Sequence, residues 1–332
     1  MKPHIAIIGA GLAGLTLARE LSGIADIALF EKARGLGGRM STRRNASHQW
    51  DHGAQFFTAR SHTFNSFLTP FISEGTVVEW QPNITTLSLD KTPFKRPWFE
   101  PHYVAAPAMN SLLKAMAGDL NIHLSTRVEH LVANDKGWQL LDDQQQLLGE
   151  FDWVISSAPL PQTQALLPAA ILGDTLARYQ MLPCYALLLA VDDTDLPHWD
   201  AAKVNDSQLS WISFNHRLPG RNRAAGTVVA HSTAAWAQAH LEDDQETVKQ
   251  QLIARFCALT GVSTAAITSA QLHRWRYALS AEVAEPDQAF VLNESARLAA
   301  CGDWCLGGRV EAAFSSAYQL ACAVREEIAA NA

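Results

Sequence analysis

Three glycines in the pattern Gly9-x-Gly11-x-x-Gly14 stand upstream of an acid, Glu31. Such glycines permit a tight turn, let backbone approach a pyrophosphate, and allow a helix to pack closely on a strand. The helix N-terminus that follows favours negative charge. Glu31 falls where a carboxylate accepts hydrogen bonds from an adenosine ribose. Leu12, Ala13 and Lys32 flank these positions and complete the expected contacts. The pattern by itself suits a nicotinamide or a flavin dinucleotide.

A second glycine pair lies in "GLGGRMSTRR", residues 35–44. Gly37 and Gly38 allow close approach, and the planar fork of Arg39 matches phosphate oxygens. Arg43 and Arg44 suit an ordinary exposed basic cluster. Near the C-terminus, "CGDWCLGGRVEAAFSSA", residues 301–317, ends a strand in Gly302-Asp303 and opens a small-residue helix at Glu311, Ala312 and Ala313. Cys301 and Cys305 lack C-x-x-C spacing and a second ligand pair, so they read as buried thiols. His48, Asp51 and His52 suggest a helical metal site, but Gly53 opposes a helix and further ligands are missing, so no metal is expected.

These residues need positioning elements. "HIAIIGAGLAGLTLAREL" passes from a β-branched run through glycines to apolar residues at helical spacing, and "DIALFEK" supplies a second strand. The unit is βαβ with buried parallel strands. "MNSLLKAMAGDL" predicts a helix, and "IHLSTRVEHLVANDKGWQLLDD" predicts strands with a turn at Asn134 to Gly137. Between Pro161 and Glu285, alternating segments such as "LSWISFNH" predict a mostly antiparallel sheet covered by the helix "DQETVKQQLIARFCALTG". The α/β character returns at "QAFVLN" and closes with a helix from about Glu311 to Ala329.

At 332 residues the chain suits two domains or one large α/β unit, since single cores stop growing near about 250 to 300 residues. The formal net charge of −7, without a basic stripe, opposes a nucleic-acid partner. Five cysteines, an odd count, suggest reduced thiols and a cytoplasmic setting. The glycines break the apolar run Ile5 to Ala18 as a signal segment, and no stretch is long and apolar enough to span a membrane.

Several of these stretches resemble one superfamily. "GLGGRMSTRR" resembles the second glycine motif of FAD-dependent amine oxidases and their relatives, and the late Gly302-Asp303 resembles the point where their aspartate bonds the flavin ribityl chain. "WDHGAQFFTARS", residues 50–61, is similar to the segment passing beneath the flavin, which implies Gln55 and Phe56 by the ring, with Phe57 and Arg60 facing substrate. "TRVEHL" resembles the strand whose valine, here Val128, contacts adenine through its main chain. Trp275 and Tyr277 in "LHRWRYALS", and Arg96 and Trp98 in "FKRPWF", are the remaining substrate-pocket candidates; cross-strand packing and an exposed loop explain them as well.

The whole looks like the bacterial renalases, a branch of that superfamily. The resemblance implies an α/β fold: a Rossmann-like FAD-binding domain (1–60, 103–160, 288–332) with an inserted, mainly antiparallel-sheet substrate domain (61–102, 161–287), in the p-hydroxybenzoate-hydroxylase-like two-domain topology. It implies FAD held without a covalent bond, although some related amine oxidases link a cysteine near Cys305 to the flavin. The activity implied is oxidation of 2- or 6-dihydro isomers of NAD(P)H, with O2 as acceptor. Some of Arg60, Arg96, Arg221, Arg223 and Arg276 would then meet substrate phosphates. A true amine oxidase is the first alternative; it usually needs a lysine beside the flavin. Lys249 falls in an apparent amphipathic helix and Lys203 in a polar stretch expected to be loop. A non-catalytic flavin-binding module is the second alternative.

Overall fold

The computed structural model describes residues 2–89, 91–95, 97, 99–168, 179–192, 196–224, 226–281 and 288–331. Packing divides the chain into one unit of residues 1–38, 113–181 and 280–332 and another of residues 39–112 and 182–279.

The first unit is built on a six-stranded sheet. Strand His4–Ile8 pairs in parallel with Asp26–Phe30 on one side and Trp153–Ser156 on the other. Ile122–His123 and Leu298–Cys301 extend the parallel order outwards, and Phe290–Asn293 closes one edge antiparallel. Ile5, Ala6 and Ile7 are fully buried, as expected of a central strand with both faces covered. Helix Leu12–Leu21 packs against helix Val310–Ala330, which starts one residue before the predicted Glu311. Ala317, Leu320, Ala321 and Val324 are the buried stripe of that last helix. A separate antiparallel meander, His130–Asn134, Gly137–Leu141 and Leu147–Phe151, carries the predicted turn at residues 134–137.

The second unit holds a seven-stranded sheet in the order Ile267–Ser280, Met181–Val191, Thr227–Ser232, Leu209–Phe214, Ala201–Val204, Ile84–Leu87, Phe94–Lys95. It is mixed rather than purely antiparallel: Ala201–Val204 pairs in parallel with Ile84–Leu87, which arrives from an earlier part of the chain. On one face Leu187, Leu189, Ile212, Phe214, Val228 and Ala230 pack with Val248, Leu252 and Phe256 of helix Gln245–Thr260. Alternation puts Ala186, Leu188, Ala190 and Val229 on the other face, where Trp50 and Trp275 join them.

Segments 39–60 and 103–112, assigned from sequence to the cofactor-binding pieces, cluster with this second unit, and residues 161–181 cluster with the first. Strand pairing is the physical reason for the segment from residue 103: His102–Ala105 is the antiparallel partner of Val77–Trp80. For the earlier segment it is the Trp50 indole, which donates to the Leu189 carbonyl at 2.8 Å.

Candidate active site

In the first unit, the chain leaves strand His4–Ile8 through Gly9, whose φ of +104° is one that side-chain-bearing residues rarely adopt. A Cβ at Gly14 would overlap the Gly9 carbonyl oxygen, so only glycine lets helix Leu12–Leu21 start this close to the strand. At Gly11, by contrast, a Cβ would meet no atom within 4 Å. Helix Leu12–Leu21 begins there with no side-chain cap, which leaves its first amides, those of Leu12, Ala13 and Gly14, to be satisfied by something other than the helix.

Glu31 lies at the end of strand Asp26–Phe30 and is 8 % exposed. Its Oε2 accepts from the Ala10 amide at 2.9 Å and its Oε1 from the Ala33 amide at 2.8 Å. The carboxylate is thereby fixed beside the glycine turn, with lone pairs left for a ribose hydroxyl. Lys32 is exposed; Val128 is buried at 8 %. Gly38 comes to the same turn, since a Cβ on it would stand 3.4 Å from the Gly11 Cα.

Asp303 follows strand Leu298–Cys301 and is 5 % exposed. Its carbonyl accepts the Gly308 amide at 2.8 Å, which shapes the loop leading into helix Val310–Ala330. That helix also starts without a side-chain cap, with Glu311, Ala312 and Ala313 in its opening turn. An open glycine turn, two uncapped helix starts and two buried carboxylates suit a group with a pyrophosphate and polyol hydroxyls. The residues present fit FAD: Gly11 through Gly14 and Glu31 would hold its adenosine diphosphate part, and Asp303 its ribityl hydroxyls.

Burial raises the Cys305 thiol to about 12 and pushes that of Cys301 higher than its ordinary value. Neither forms a nucleophilic thiolate near neutral pH. Trp304 and Phe314 are interior residues, Trp304 packing edge-on against Tyr179 at 5.7 Å.

In the second unit, Asp51 and Arg221 form a fully buried ion pair. The chain then crosses the sheet. The His52 carbonyl accepts from His231 Nε2 at 3.1 Å and from the Trp275 indole at 3.0 Å, and the His52 ring stacks on Trp275 at 5.1 Å. The Phe56 ring lies 5.4 Å from that of Trp211 and 4.6 Å from that of His102. Between them the Gln55 amide nitrogen donates to the Asp51 and Gly53 carbonyls. Burial, reinforced by His273 and Arg43, drops His52 to about 3; burial and Arg43 drop His273 to about 4, and burial lowers His231. All three are therefore neutral at pH 7.

Several expected substrate contacts have other employment. Phe57 is 3 % exposed and packs against Phe64 and Tyr103 in the interior. Arg60 makes a two-pronged bond to Glu100, and Arg276 does the same to Glu242. Arg221 is a buried partner of Asp51, whereas Arg223 is exposed. Tyr277 lies on strand Ile267–Ser280, two residues beyond Trp275. The Arg39 guanidinium is 3.4 Å from the Ala278 carbonyl. Arg96 and Trp98 lie outside the described residues.

Three features escaped the sequence. Ser157 donates to the Ile8 and Gly9 carbonyls, and its hydroxyl occupies the space that a Cβ on Gly9 or Gly14 would need. Gly53 is required because a Cβ there would overlap the Arg39 carbonyl. Lys203 is in a strand, Ala201–Val204, and not in a loop: its short polar surroundings hide the alternation, but strands pair on both sides of it. It stands directly across from Trp211, so the two share a sheet face.

Among the described residues no helix is long and apolar enough to cross a membrane. In solved structures the chain is similar over 98 % of its length to a protein of Exiguobacterium sp. 255-15 assigned as a protoporphyrinogen oxidase (99 % of that chain, TM-score 0.79, 13 % identity). It is similar to cyclohexylamine oxidase of Brevibacterium oxydans IH-35A (99 % and 100 % covered, TM-score 0.75, 11 % identity) and to a putrescine oxidase bound to putrescine (98 % and 99 %, TM-score 0.72, 13 % identity). At these identities the likeness is one of fold. Residues 7–71 match the NAD(P)-binding Rossmann-like domain, and residues 98–325, more than half the chain, match the flavin containing amine oxidoreductases. With a dinucleotide cradle that fits FAD and a family match of that extent, the chain belongs to the flavin-containing amine oxidoreductases and uses FAD as its cofactor.

Proposed function

We propose that this oxidoreductase oxidises dihydropyridine isomers of NAD(P)H, reduced at ring position 2 or 6, to NAD(P)+, with O2 reduced to hydrogen peroxide, as the resemblance to bacterial renalases implies. The observation supporting this reading is the state of the titratable groups around residues 51–56. Asp51 is committed to Arg221, and His52 and His273 lie at about 3 and about 4, too low to take a proton from carbon at neutral pH. Loss of hydride from a dihydropyridine restores an aromatic pyridinium and needs no base, only placement. When bound, FAD supplies the hydride acceptor and passes the electrons to oxygen. Around residues 51–56 the chain presents neutral rings, those of His52, Phe56, His273 and Trp275. For the substrate phosphates, Arg223 is exposed, while Arg60 or Arg276 would have to exchange a carboxylate partner.

A second reading, oxidation of an amine, draws on one observation: Lys203 shares the sheet face of Trp211. Amine oxidases use a lysine to hold a water beside the flavin, and the strand position of Lys203 makes it the candidate.

The test is anaerobic mixing of the FAD-loaded protein with 2-dihydroNAD, 6-dihydroNAD, NADH and a panel of amines while the flavin absorbance is followed. Bleaching by a dihydropyridine isomer alone supports the first reading and identifies the ring position. Bleaching by an amine alone replaces it with the second, and bleaching by nothing leaves a flavin-binding module.

A further inference from the structure

Within the second unit a cavity of about 360 Å³ opens at the end of the strand pair Val77–Trp80 and His102–Ala105. Trp80 and His102 stand opposite each other in the register, and both line the cavity. The Phe56 ring packs against both, 6.0 Å from Trp80 and 4.6 Å from His102, which fixes the two rings in place. The chain leaves one strand through Gln81 and Pro82 and enters the other from Glu100 and Pro101; the prolines, with their restricted φ, stiffen the rims. Phe99 lines the cavity as well and is 91 % exposed, the most exposed large apolar side chain among the described residues. A ring left in water beside a cavity offers its face to whatever enters.

The charge of the lining selects the ligand. It carries two carboxylates, Glu79 and Glu100, and among the described residues no lysine or arginine. Glu100 is already neutralised by the two-pronged bond from Arg60. Glu79 is exposed and accepts from the Gln81 side-chain amide at 3.4 Å, and no ion pair neutralises it among the described residues. His102 donates its Nδ1–H to the Glu100 carbonyl at 2.7 Å, and burial drops it to about 4, so at pH 7 it adds no positive charge. An anion would meet Glu79 with no counter-charge. A neutral apolar molecule would use the rings and leave the carboxylate idle. A cation on an apolar body uses both, since the faces of aromatic rings attract positive charge.

We propose that this cavity is a binding site for a small organic cation, an ammonium or pyridinium group on an apolar body, held by the Glu79 carboxylate and the rings of Phe99 and Trp80. Every lining residue belongs to the second unit, and cation binding here does not depend on which substrate the flavin oxidises. An amine and a nicotinamide-type pyridinium both carry the required chemistry.

The test is calorimetric titration of the FAD-loaded protein with benzyltrimethylammonium and 1-benzylpyridinium, cations without an N–H group, and with benzyl alcohol and benzoate as neutral and anionic controls. At least one cation should bind more tightly than both controls. Glu79→Gln keeps the shape of the side chain and removes its charge, and Phe99→Ala removes an exposed ring, so both variants should fold as the unaltered protein does. Each should weaken cation binding by about threefold. Glu326→Gln, an exposed carboxylate on helix Val310–Ala330, should leave it unchanged. Tighter binding of the ammonium assigns the site to amines, and tighter binding of the pyridinium to nicotinamide-type rings; either supports the site. It is overturned if neither cation binds, if benzyl alcohol binds as tightly as the cations, or if Glu79→Gln or Phe99→Ala keeps the unaltered affinity.

Discussion

Arg221 grips Asp51 across 170 residues of chain, with Nη2 2.6 Å and Nε 3.0 Å from the same carboxylate oxygen and both side chains excluded from solvent. The other Asp51 oxygen accepts from Thr42 and from the Met109 amide, and Arg221 Nη1 donates to the Ala105 and Pro219 carbonyls. The pair ties together three segments of the second unit, residues 42–51, 105–109 and 219–221, so it is the anchor from which residues 52–57 are laid over the sheet.

Removing one partner leaves the other charge buried and unpaired. We expect Arg221→Met to cost about 3–5 kcal/mol of stability in urea denaturation. Asp51→Asn combined with Arg221→Met should cost less than the sum of the single changes, since neither buried charge remains. A wild-type midpoint for Arg221→Met would remove the anchor role.

The two fingerprint glycines should respond differently to a methyl group. Gly14→Ala forces a clash with the Gly9 carbonyl, so thermal stability of the apoprotein should fall along with FAD binding. Gly11→Ala meets open space, so the apoprotein should keep its melting temperature while FAD affinity drops by at least about tenfold. Unimpaired FAD binding by Gly11→Ala would show that the cofactor does not approach the backbone there.

The neutral histidines predict a pH dependence whose sign is set by their lowered values. His52 ionises at about 3 in the folded chain against 6.5 when unfolded, so between those values the unfolded state binds the extra proton. Stability should therefore fall as pH drops below about 6.5, and each histidine held neutral contributes a slope of about 1.4 kcal/mol per pH unit. His52→Gln should remove about 2 kcal/mol of the stability lost between pH 6 and 4.5, measured by urea denaturation across that range. An unchanged slope would mean that His52 is solvated.

With its thiol raised to about 12, Cys305 should resist a disulfide reagent at pH 8 in the native protein and react on unfolding. Acid precipitation should leave the yellow flavin in the supernatant and a colourless pellet. A yellow pellet that turns colourless in Cys305→Ser would instead reveal a covalent bond.

What the sequence by itself determined lies within short reach of the chain. The Gly9 turn, the start of helix Leu12–Leu21 and the Glu31 carboxylate follow from local periodicity and spacing, because a strand, a turn and a helix constrain one another over a few tens of residues. Gly302-Asp303 and the helix after it are legible for the same reason. The tertiary structure decided the partners. That Ser157 fills the space left by Gly9 and Gly14 depends on parallel pairing of His4–Ile8 with Trp153–Ser156. That Lys203 faces the same way as Trp211 depends on a register between strands, which a four-residue segment among polar neighbours does not announce. That Arg221 serves Asp51 rather than a phosphate depends on burial, and burial is a property of the packed chain: an arginine in a polar stretch reads alike whether it meets solvent, a ligand or a carboxylate beneath a sheet.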